Sequence, residues 1–104
     1  MNNFKAVVQL VIDKNIPTIF LGGGGNNFAN TSRLWTSITN LIVNNGNNNN
    51  QLNNDIPEHE YFLEYKPDYE LNISPGLIKN KNIQSDVNTM VNKIIENLNN
   101  IKFD

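Results

Sequence analysis

The stretch Phe20–Phe28, FLGGGGNNF, places four consecutive glycines after an apolar run. Glycines between a strand and a helix are typical of phosphate-binding loops, because free backbone N–H groups and the helix dipole face the loop. Here Asn27 occupies the position of the third glycine of a dinucleotide fingerprint, and the lysine and hydroxyl residue of a P-loop are missing. The pattern therefore disfavours nucleotide binding and leaves a tight turn as the plain interpretation.

The residues on either side of the glycines predict a helix, a strand, a loop and a second helix in succession. Apolar residues recur at helical spacing over residues 4–14, and Ile16–Leu21 is continuously apolar, as in a parallel strand covered on both faces. The helix after the loop is expected to have Asn30 or Thr31 as its N-cap. Its apolar stripe consists of Leu34, Trp35, Ile38, Leu41 and Ile42. This succession indicates an α/β protein.

The second half of the chain predicts a short helical turn over residues 58–65, an extended segment over residues 69–73 that packs its aromatic rings, and a final helix. Ser85 or Asp86 can cap that helix, whose apolar residues recur at three- and four-residue steps. These are Val87, Met90, Val91, Ile94, Ile95, Leu98 and Ile101. A single convincing strand cannot satisfy its backbone on both edges. We therefore expect the missing strands to come from elsewhere, most simply from a larger α/β domain.

The composition excludes several classes of function. The 104 residues suffice for one small domain, and 8 basic against 10 acidic residues give a net charge of −2. Arg33 is the sole arginine, so no basic stripe is available for nucleic acid. The lack of cysteine and the single histidine, His59, disfavour a zinc site. The N-terminus contains no signal peptide and no membrane span, so we expect an intracellular protein without membrane contact.

Asparagine makes up about a fifth of the chain, and its densest run is NNGNNNNQLNN at residues 44–54. Such a tract buries no apolar surface, so we expect a mobile loop there. The excess of asparagine extends through all segments of the chain. It is therefore interpreted as a compositional habit of the source genome, in preference to a prion-like aggregation segment.

Three motifs together resemble the histone deacetylase family of the arginase/deacetylase superfamily. IPTIFLGGGGNNFANTSRLWT at residues 16–36 resembles the family's strand, its LGGGGY loop and its N-x-x-R-x-W-T helix start. IPEHEYFLEYKPDYELNISP at residues 56–75 is similar to the family's proline and aromatic segment, and VNKIIENLNNI at residues 91–101 resembles the final helix of the catalytic domain. The similarity is strongest to the class I enzymes. It implies that residues 1–104 are the C-terminal part of such a parallel-sheet domain, with the asparagine-rich loop at 44–54 as an insertion.

The resemblance assigns the glycine loop to the substrate pocket. The loop that lines the acetyl-lysine tunnel in the family is matched by Gly22, Gly23, Gly24 and Gly25. The family's catalytic tyrosine, which hydrogen-bonds the carbonyl oxygen of acetyl-lysine, follows these glycines directly. Asn26 stands in its place. An asparagine amide can donate a hydrogen bond, but it is several ångströms shorter than a phenol, so the resemblance implies that no catalytic residue is intact.

Other family residues are absent or change their role. The family's zinc ligands, two aspartates and a histidine, and its catalytic histidine pair precede the matched region. Neither Asp13 nor His59 has the sequence context of those residues, and His59 is expected at the surface. Ala29 replaces an arginine that helps many class I relatives bind an inositol phosphate. For Arg33 and Trp35 the resemblance implies a buried structural role.

The resemblance therefore implies a deacetylase-like protein that holds no zinc itself and is catalytically silent alone. A first alternative is a partner-binding module, in which the aromatic segment and the last helix pair with another chain that supplies the missing sheet. A second is a subunit of a zinc-dependent lysine deacetylase that another chain completes. Acetyl-lysine as the substrate and a location in the nucleus or cytoplasm rest on the resemblance alone.

Overall fold

The computed structural model of the chain describes residues 1–47, 52–74, 76–77 and 79–102. Within them lie three α-helices, α1 (Asn2–Ile12), α2 (Phe28–Val43) and α3 (Gln84–Asn99), and a 3₁₀ helix, Phe62–Tyr65. The chain divides into two compact units, residues 1–74 and residues 75–104. Residues 48–51 of the asparagine-rich loop lie outside the described residues, so its mobility stays a prediction.

The N-terminal helix predicted from the apolar spacing is confirmed as α1, which packs against α2. The helix is less buried than its apolar spacing suggests. Val8 and Val11 are half-buried, but Phe4, Val7 and Leu10 are exposed and no residue of α1 is fully buried. The apolar surface of α1 is thus larger than the surface that α2 covers.

The helix after the glycines, α2, begins earlier than predicted. Its N-cap is Asn27, whose side-chain oxygen accepts a hydrogen bond from the Asn30 N–H at 2.9 Å. The prediction of Asn30 or Thr31 as the cap is wrong, because Asn27 already satisfies one of the free amides of the first turn. At the other end the Gly46 N–H donates to the Leu41 carbonyl oxygen at 2.9 Å, with Gly46 at φ +76°. The residue before it, Asn45, is left-handed at φ +49° and its N–H donates to the Ile42 carbonyl oxygen at 2.9 Å, so the two bonds form a common type of helix end.

The buried interior is a narrow stripe along α2. Arg33, Ser37 and Leu41, spaced four residues apart, lie on one face of the helix and are the fully buried residues among those the structure describes. Two of the three are polar. The first unit is therefore organised around polar contacts of one helix face more than around an apolar core.

Residues 52–74 contain a short antiparallel bridge, which joins the two ends of the segment, and a 3₁₀ helix. The Ile56 N–H donates to the Tyr69 carbonyl oxygen at 2.9 Å, and the Leu71 N–H donates to that of Asn54 at 2.7 Å. The ring of Tyr69 stacks on that of Phe62 at 4.5 Å between centroids. The predicted helical turn and the aromatic packing of this region are thereby confirmed.

The expected parallel sheet is not seen. In the described ranges the only β pairing is the isolated bridge between Asp55 and Glu70, and Ile16–Leu21 forms no strand. A parallel strand exists only when neighbouring strands accept and donate its backbone hydrogen bonds. The part of the chain that the structure describes offers no such neighbour, so the apolar run stays unpaired.

The second unit contains α3. The helix is amphipathic, as its spacing predicts, but it begins at Gln84 after Ile83 without a side-chain cap, so the prediction of Ser85 or Asp86 as the cap is wrong. None of its residues is fully buried. Of the helices in the described ranges, none combines the length and apolarity that a bilayer span requires.

Candidate functional site

The glycine loop has a backbone that other residues rarely adopt. Gly24 has φ +71° and Gly25 has φ +103°, both in the left-handed region where a side chain is strained. A Cβ on Gly25 would also contact the hydroxyl of Thr31 and lie 2.7 Å from its Cγ2. By contrast, a Cβ on Gly23 would meet no atom within 4 Å. Of these glycines, Gly25 is required on both conformational and steric grounds.

The start of the loop lies directly against α2. A Cβ on Gly22 would lie 2.9 Å from Cη2 of Trp35, so the indole ring occupies the space that a side chain would need. Trp35 is nevertheless 46% exposed, so its predicted burial is wrong within this unit. The family resemblance identified Trp35, but the sequence contained no signal that its contact would be with the first glycine.

Asn26 is exposed and lies between the loop and the first turn of α2. The Asn27 carbonyl oxygen accepts hydrogen bonds from the Thr31 N–H at 2.9 Å and from the Thr31 hydroxyl at 2.8 Å, which fixes the chain just after Asn26. Asn26 lines a cavity of about 600 Å³, together with Asn27, Phe28, Ala29, Ser32, Tyr61, Glu64 and Tyr65. The structure thus brings Asn26, the start of α2 and the aromatic segment to one place, whereas none of the four glycines lines this cavity.

Arg33 fastens the aromatic segment to α2. Its Nε donates to the Glu70 carbonyl oxygen at 2.6 Å, one terminal nitrogen donates to the Tyr65 carbonyl oxygen at 2.9 Å, and the other donates to the Asn30 side chain at 3.2 Å. The guanidinium carbon lies 5.0 Å from the centroid of the Tyr65 ring, a favourable cation–π distance. We call this group of contacts the arginine anchor.

The arginine anchor explains why Tyr65 reaches the cavity beside Asn26. Arg33 is only 7% exposed, so its charge is accommodated by these hydrogen bonds and by the aromatic face instead of by water. The predicted structural role of Arg33 is confirmed. That Tyr61 and Tyr65 lie beside Asn26 was not predicted, because the sequence separates them from it by more than thirty residues.

His59 is exposed, as predicted. Its ring lies 5.5 Å from that of Tyr65 in an edge-on arrangement, and its Nδ1 accepts a hydrogen bond from the Tyr61 N–H at 3.1 Å. These contacts place His59 within the aromatic segment as a local backbone acceptor. Among the described residues, no group of three or more histidine or acidic side chains is placed to hold a metal ion.

The arrangement around Asn26 can hydrogen-bond a polar ligand. The Asn26 amide supplies both a donor and an acceptor, the phenols of Tyr61 and Tyr65 do likewise, and Glu64 adds a carboxylate to the same cavity. The Phe28 ring contributes apolar surface at its edge. The cavity beside Asn26 therefore combines hydrogen-bonding groups with apolar surface.

Comparison with known proteins gives the family. No protein-family model matches the chain. Histone deacetylase 8 of Danio rerio is 38% identical over 91 residues, which make up 88% of this chain and 23% of the relative. Histone deacetylase 8 of Xenopus laevis is 38% identical over 94 residues, or 90% of this chain and 27% of the relative. Histone deacetylase 9 of Arabidopsis thaliana is 35% identical over 95 residues, or 91% of this chain and 21% of the relative.

The chain thus spans about a quarter of the length of these relatives. The alignments cover at least 88% of the chain, so they include the glycine loop, α2 and the aromatic segment. The chain is therefore homologous to the histone deacetylases and belongs to that family over the quarter of its relatives' length that it spans.

Proposed function

We propose that the chain forms the glycine-loop wall of a deacetylase-like acetyl-lysine pocket and does not deacetylate lysine by itself. Asn26 is the observation that carries the proposal. It directly follows Gly25, where the family has its tyrosine, and it lines the cavity at the start of α2. The residue that the family uses on the substrate carbonyl is thus replaced at a position that is open to a ligand.

The replacement of tyrosine by asparagine shortens the side chain and also removes the hydroxyl. In amide hydrolysis the carbonyl oxygen gains negative charge, and a donor aimed at that oxygen lowers the barrier because it binds the transition state more strongly than the substrate. A phenol extends across a pocket from a backbone that lies at its wall. The Asn26 amide ends several ångströms short of that point, and loss of one such donor lowers turnover by about 10²–10³-fold.

Zinc does not fit the residues that the structure describes, because no group of three histidine or acidic side chains lies together in them. In this proposal the metal ligands belong to the rest of a deacetylase domain, so we derive no step through zinc from this chain.

A partner-binding role is a second candidate, and it is favoured by the exposed apolar surface of α1 and of residues 16–21. An intracellular location is part of the proposal.

A chimera tests the pocket assignment. The 91 matched residues of the Danio rerio relative are replaced by those of this chain, and turnover of an acetyl-lysine peptide is measured. We expect the Asn26→Tyr chimera to be about 10²–10³-fold more active than the chimera with Asn26, because the phenol restores the donor. The isolated chain is expected to be silent both with Asn26 and after Asn26→Tyr.

Asn26→Phe is the matched control in the same chimera, because phenylalanine has the ring of tyrosine without the hydroxyl. It should stay as inactive as the chimera with Asn26. If Asn26→Phe is as active as Asn26→Tyr, packing and not the donor accounts for the gain. If the Asn26 chimera is itself fully active, the assignment of Asn26 as a lost oxyanion donor is wrong.

A further inference from the structure

Three aromatic residues line the cavity beside Asn26. Tyr61 and Tyr65 come from the aromatic segment, and Phe28 is the first residue of α2. The faces of aromatic rings carry negative potential and attract cations, including the methylated ammonium groups that aromatic cages bind in other proteins. The volume of about 600 Å³ is that of a small-molecule site. The lining therefore favours a compact ligand with a positive charge.

The charge of the cavity also favours a cation. Of the described residues that line it, Glu64 alone is charged, and its carboxylate forms no ion pair with another described residue. The first turn of α2 opposes this preference, because the positive end of a helix dipole attracts anions. That dipole amounts to about half an elementary charge, and the Asn27 side chain already satisfies one of the free amides. The full charge of Glu64 therefore outweighs it.

Tyr65 lines two cavities, and the buried cation of the arginine anchor lines only the other one. Arg33 and His59 line this second cavity, which has a volume of about 390 Å³. The Arg33 guanidinium carbon lies 5.0 Å from the Tyr65 centroid, so it occupies one face of the ring. Neither Arg33 nor His59 lines the cavity beside Asn26. That cavity therefore adjoins a part of Tyr65 that is open to a second cation.

The arginine anchor also holds this wall in place. Arg33 donates a hydrogen bond to the Tyr65 carbonyl oxygen at 2.9 Å, which fixes the backbone of the aromatic segment against α2. The ring of Tyr65 is half-buried, whereas Phe28 and Tyr61 are exposed. A wall that is formed before the ligand arrives reduces the loss of conformational entropy on binding.

We propose that the cavity beside Asn26 binds a methylated ammonium group, the head group that choline and trimethyl-lysine share. The rings of Phe28, Tyr61 and Tyr65 contact its methyl groups, and Glu64 is its counter-ion. The site goes beyond the proposed function, because deacetylation acts on a neutral amide whereas this ligand is a cation. A methylated ammonium fits better than a primary ammonium, since its methyl groups pack on the rings and it gives up fewer hydrogen bonds to water.

The first test compares choline with its neutral tert-butyl analogue, in which carbon replaces the ammonium nitrogen. Each is titrated into the isotope-labelled full chain and followed by NMR. We expect choline to shift the amide signals of residues 26–29 and 61–65, and the neutral analogue to bind about tenfold more weakly because it lacks the charge. Equal binding of the two compounds, or no shift with choline at about 50 mM, would overturn the inference.

Peptides of one sequence identify the source of the head group. One carries trimethyl-lysine and the other carries acetyl-lysine, and both are titrated in the same way. Binding of the trimethyl-lysine peptide more tightly than choline supports the site and assigns it to a methylated protein, whereas tighter binding of choline supports the site and assigns it to a free metabolite. An acetyl-lysine peptide that shifts the same amides and binds more tightly than both cations would overturn the inference.

Substitutions separate the ring from the charge. Tyr61→Leu should weaken choline binding about fivefold, and Tyr61→Phe, which keeps the ring, should change it by less than about twofold. Glu64→Gln should weaken binding about threefold, because the carboxylate is solvent-exposed. Glu60→Gln is the matched control, since Glu60 is exposed but does not line the cavity.

Equal binding by Tyr61→Leu and Tyr61→Phe would show that the rings do not hold the cation. The amide signals outside the cavity report whether each variant keeps its fold. If Tyr61→Leu loses it, Phe28→Leu replaces it in the test, because Phe28 is 85% exposed and packs little within the chain. Phe28→Leu should also weaken choline binding about fivefold, and unchanged binding would overturn the inference.

The ammonium site and the proposed function can fail separately. Choline binding is measured on the unaltered chain and requires no turnover. An inactive Asn26→Tyr chimera beside a chain that binds choline would refute only the proposed function. An active Asn26→Tyr chimera beside a chain that does not bind choline would refute only the ammonium site.

Discussion

The arginine anchor and residues 16–21, the strand-like segment, differ in whether their backbone groups are hydrogen-bonded, although Arg33 lies only a short stretch of chain after the segment. Arg33 is buried and gives three hydrogen bonds, two of them to backbone carbonyl oxygens of a distant segment. Residues 16–21 are exposed and have no backbone partner among the described residues. One region completes its contacts within the chain, and the other does not.

The difference lies in the kind of contact that each region needs. A long side chain with several donors can hydrogen-bond any carbonyl groups nearby, and Arg33 donates to the carbonyl oxygens of Tyr65 and Glu70. A central strand needs two further strands, in register, on both edges. The first requirement is met by one helix and one loop. The second needs further strands, so the part of the chain that the structure describes meets the first requirement and leaves the second unmet.

The largest expected effect is on the arginine anchor. We expect Arg33→Ala to lower the free energy of unfolding by about 4 kcal/mol, because it removes three hydrogen bonds and leaves the part-buried carbonyl groups of Tyr65 and Glu70 without their donor. The measurement is urea unfolding followed by circular dichroism. Ile19→Ala in the strand-like segment should change the same quantity by less than about 0.5 kcal/mol. Equal effects of the two substitutions would erase the contrast between the two regions.

The glycine loop, which joins the two regions, should show a smaller effect. Gly25→Ala is expected to lower the free energy of unfolding by about 2 kcal/mol, because alanine is strained at φ +103° and its Cβ would contact Thr31. Gly23→Ala should change it by less than about 0.5 kcal/mol, since a Cβ there meets no atom within 4 Å. Thermal or urea unfolding of both variants gives the comparison. Tolerance at Gly25 would mean that the loop is not fixed against α2.

The smallest effect is expected beside the anchor. The Ser37 hydroxyl is buried, at 3% residue exposure, and has no hydrogen-bond partner among the described residues. Ser37→Ala should therefore raise the free energy of unfolding by about 1 kcal/mol, because a buried hydroxyl without a partner is unfavourable. Ser32→Ala is the control on the same helix, since the exposed Ser32 hydroxyl donates to the Phe28 carbonyl oxygen at 2.9 Å. It should change stability by less than about 0.5 kcal/mol, and a loss at Ser37 would show that its hydroxyl is satisfied.

The helices could be predicted from the sequence because their signals are local. Apolar residues three and four positions apart identified α1, α2 and α3, and the structure confirms each of them. The helix starts were predicted less well, since Asn27 and Asn30 are both good N-caps by residue type. Which of them caps α2 depends on the direction in which the chain leaves the glycine loop, and that direction is set by the fold.

The strand prediction failed for a different reason. The residues of Ile16–Leu21 have the composition of a buried strand, but a strand is defined by its partners, and these are not among the described residues. The site was predicted in part. The resemblance identified the glycines and Asn26, whereas the proximity of Tyr61 and Tyr65 to Asn26 follows from contacts between residues far apart in the sequence.

By itself the sequence determined the helical segments and the glycine loop with the asparagine that follows it, because each depends on residue type and short-range spacing. Only the tertiary structure decided that Arg33 joins α2 to the aromatic segment, that Trp35 packs on Gly22, and that residues 16–21 have no backbone partner in the described part of the chain. These contacts depend on which distant backbone groups lie within hydrogen-bond or van der Waals distance. That distance is set by how the chain packs, and no local pattern encodes it.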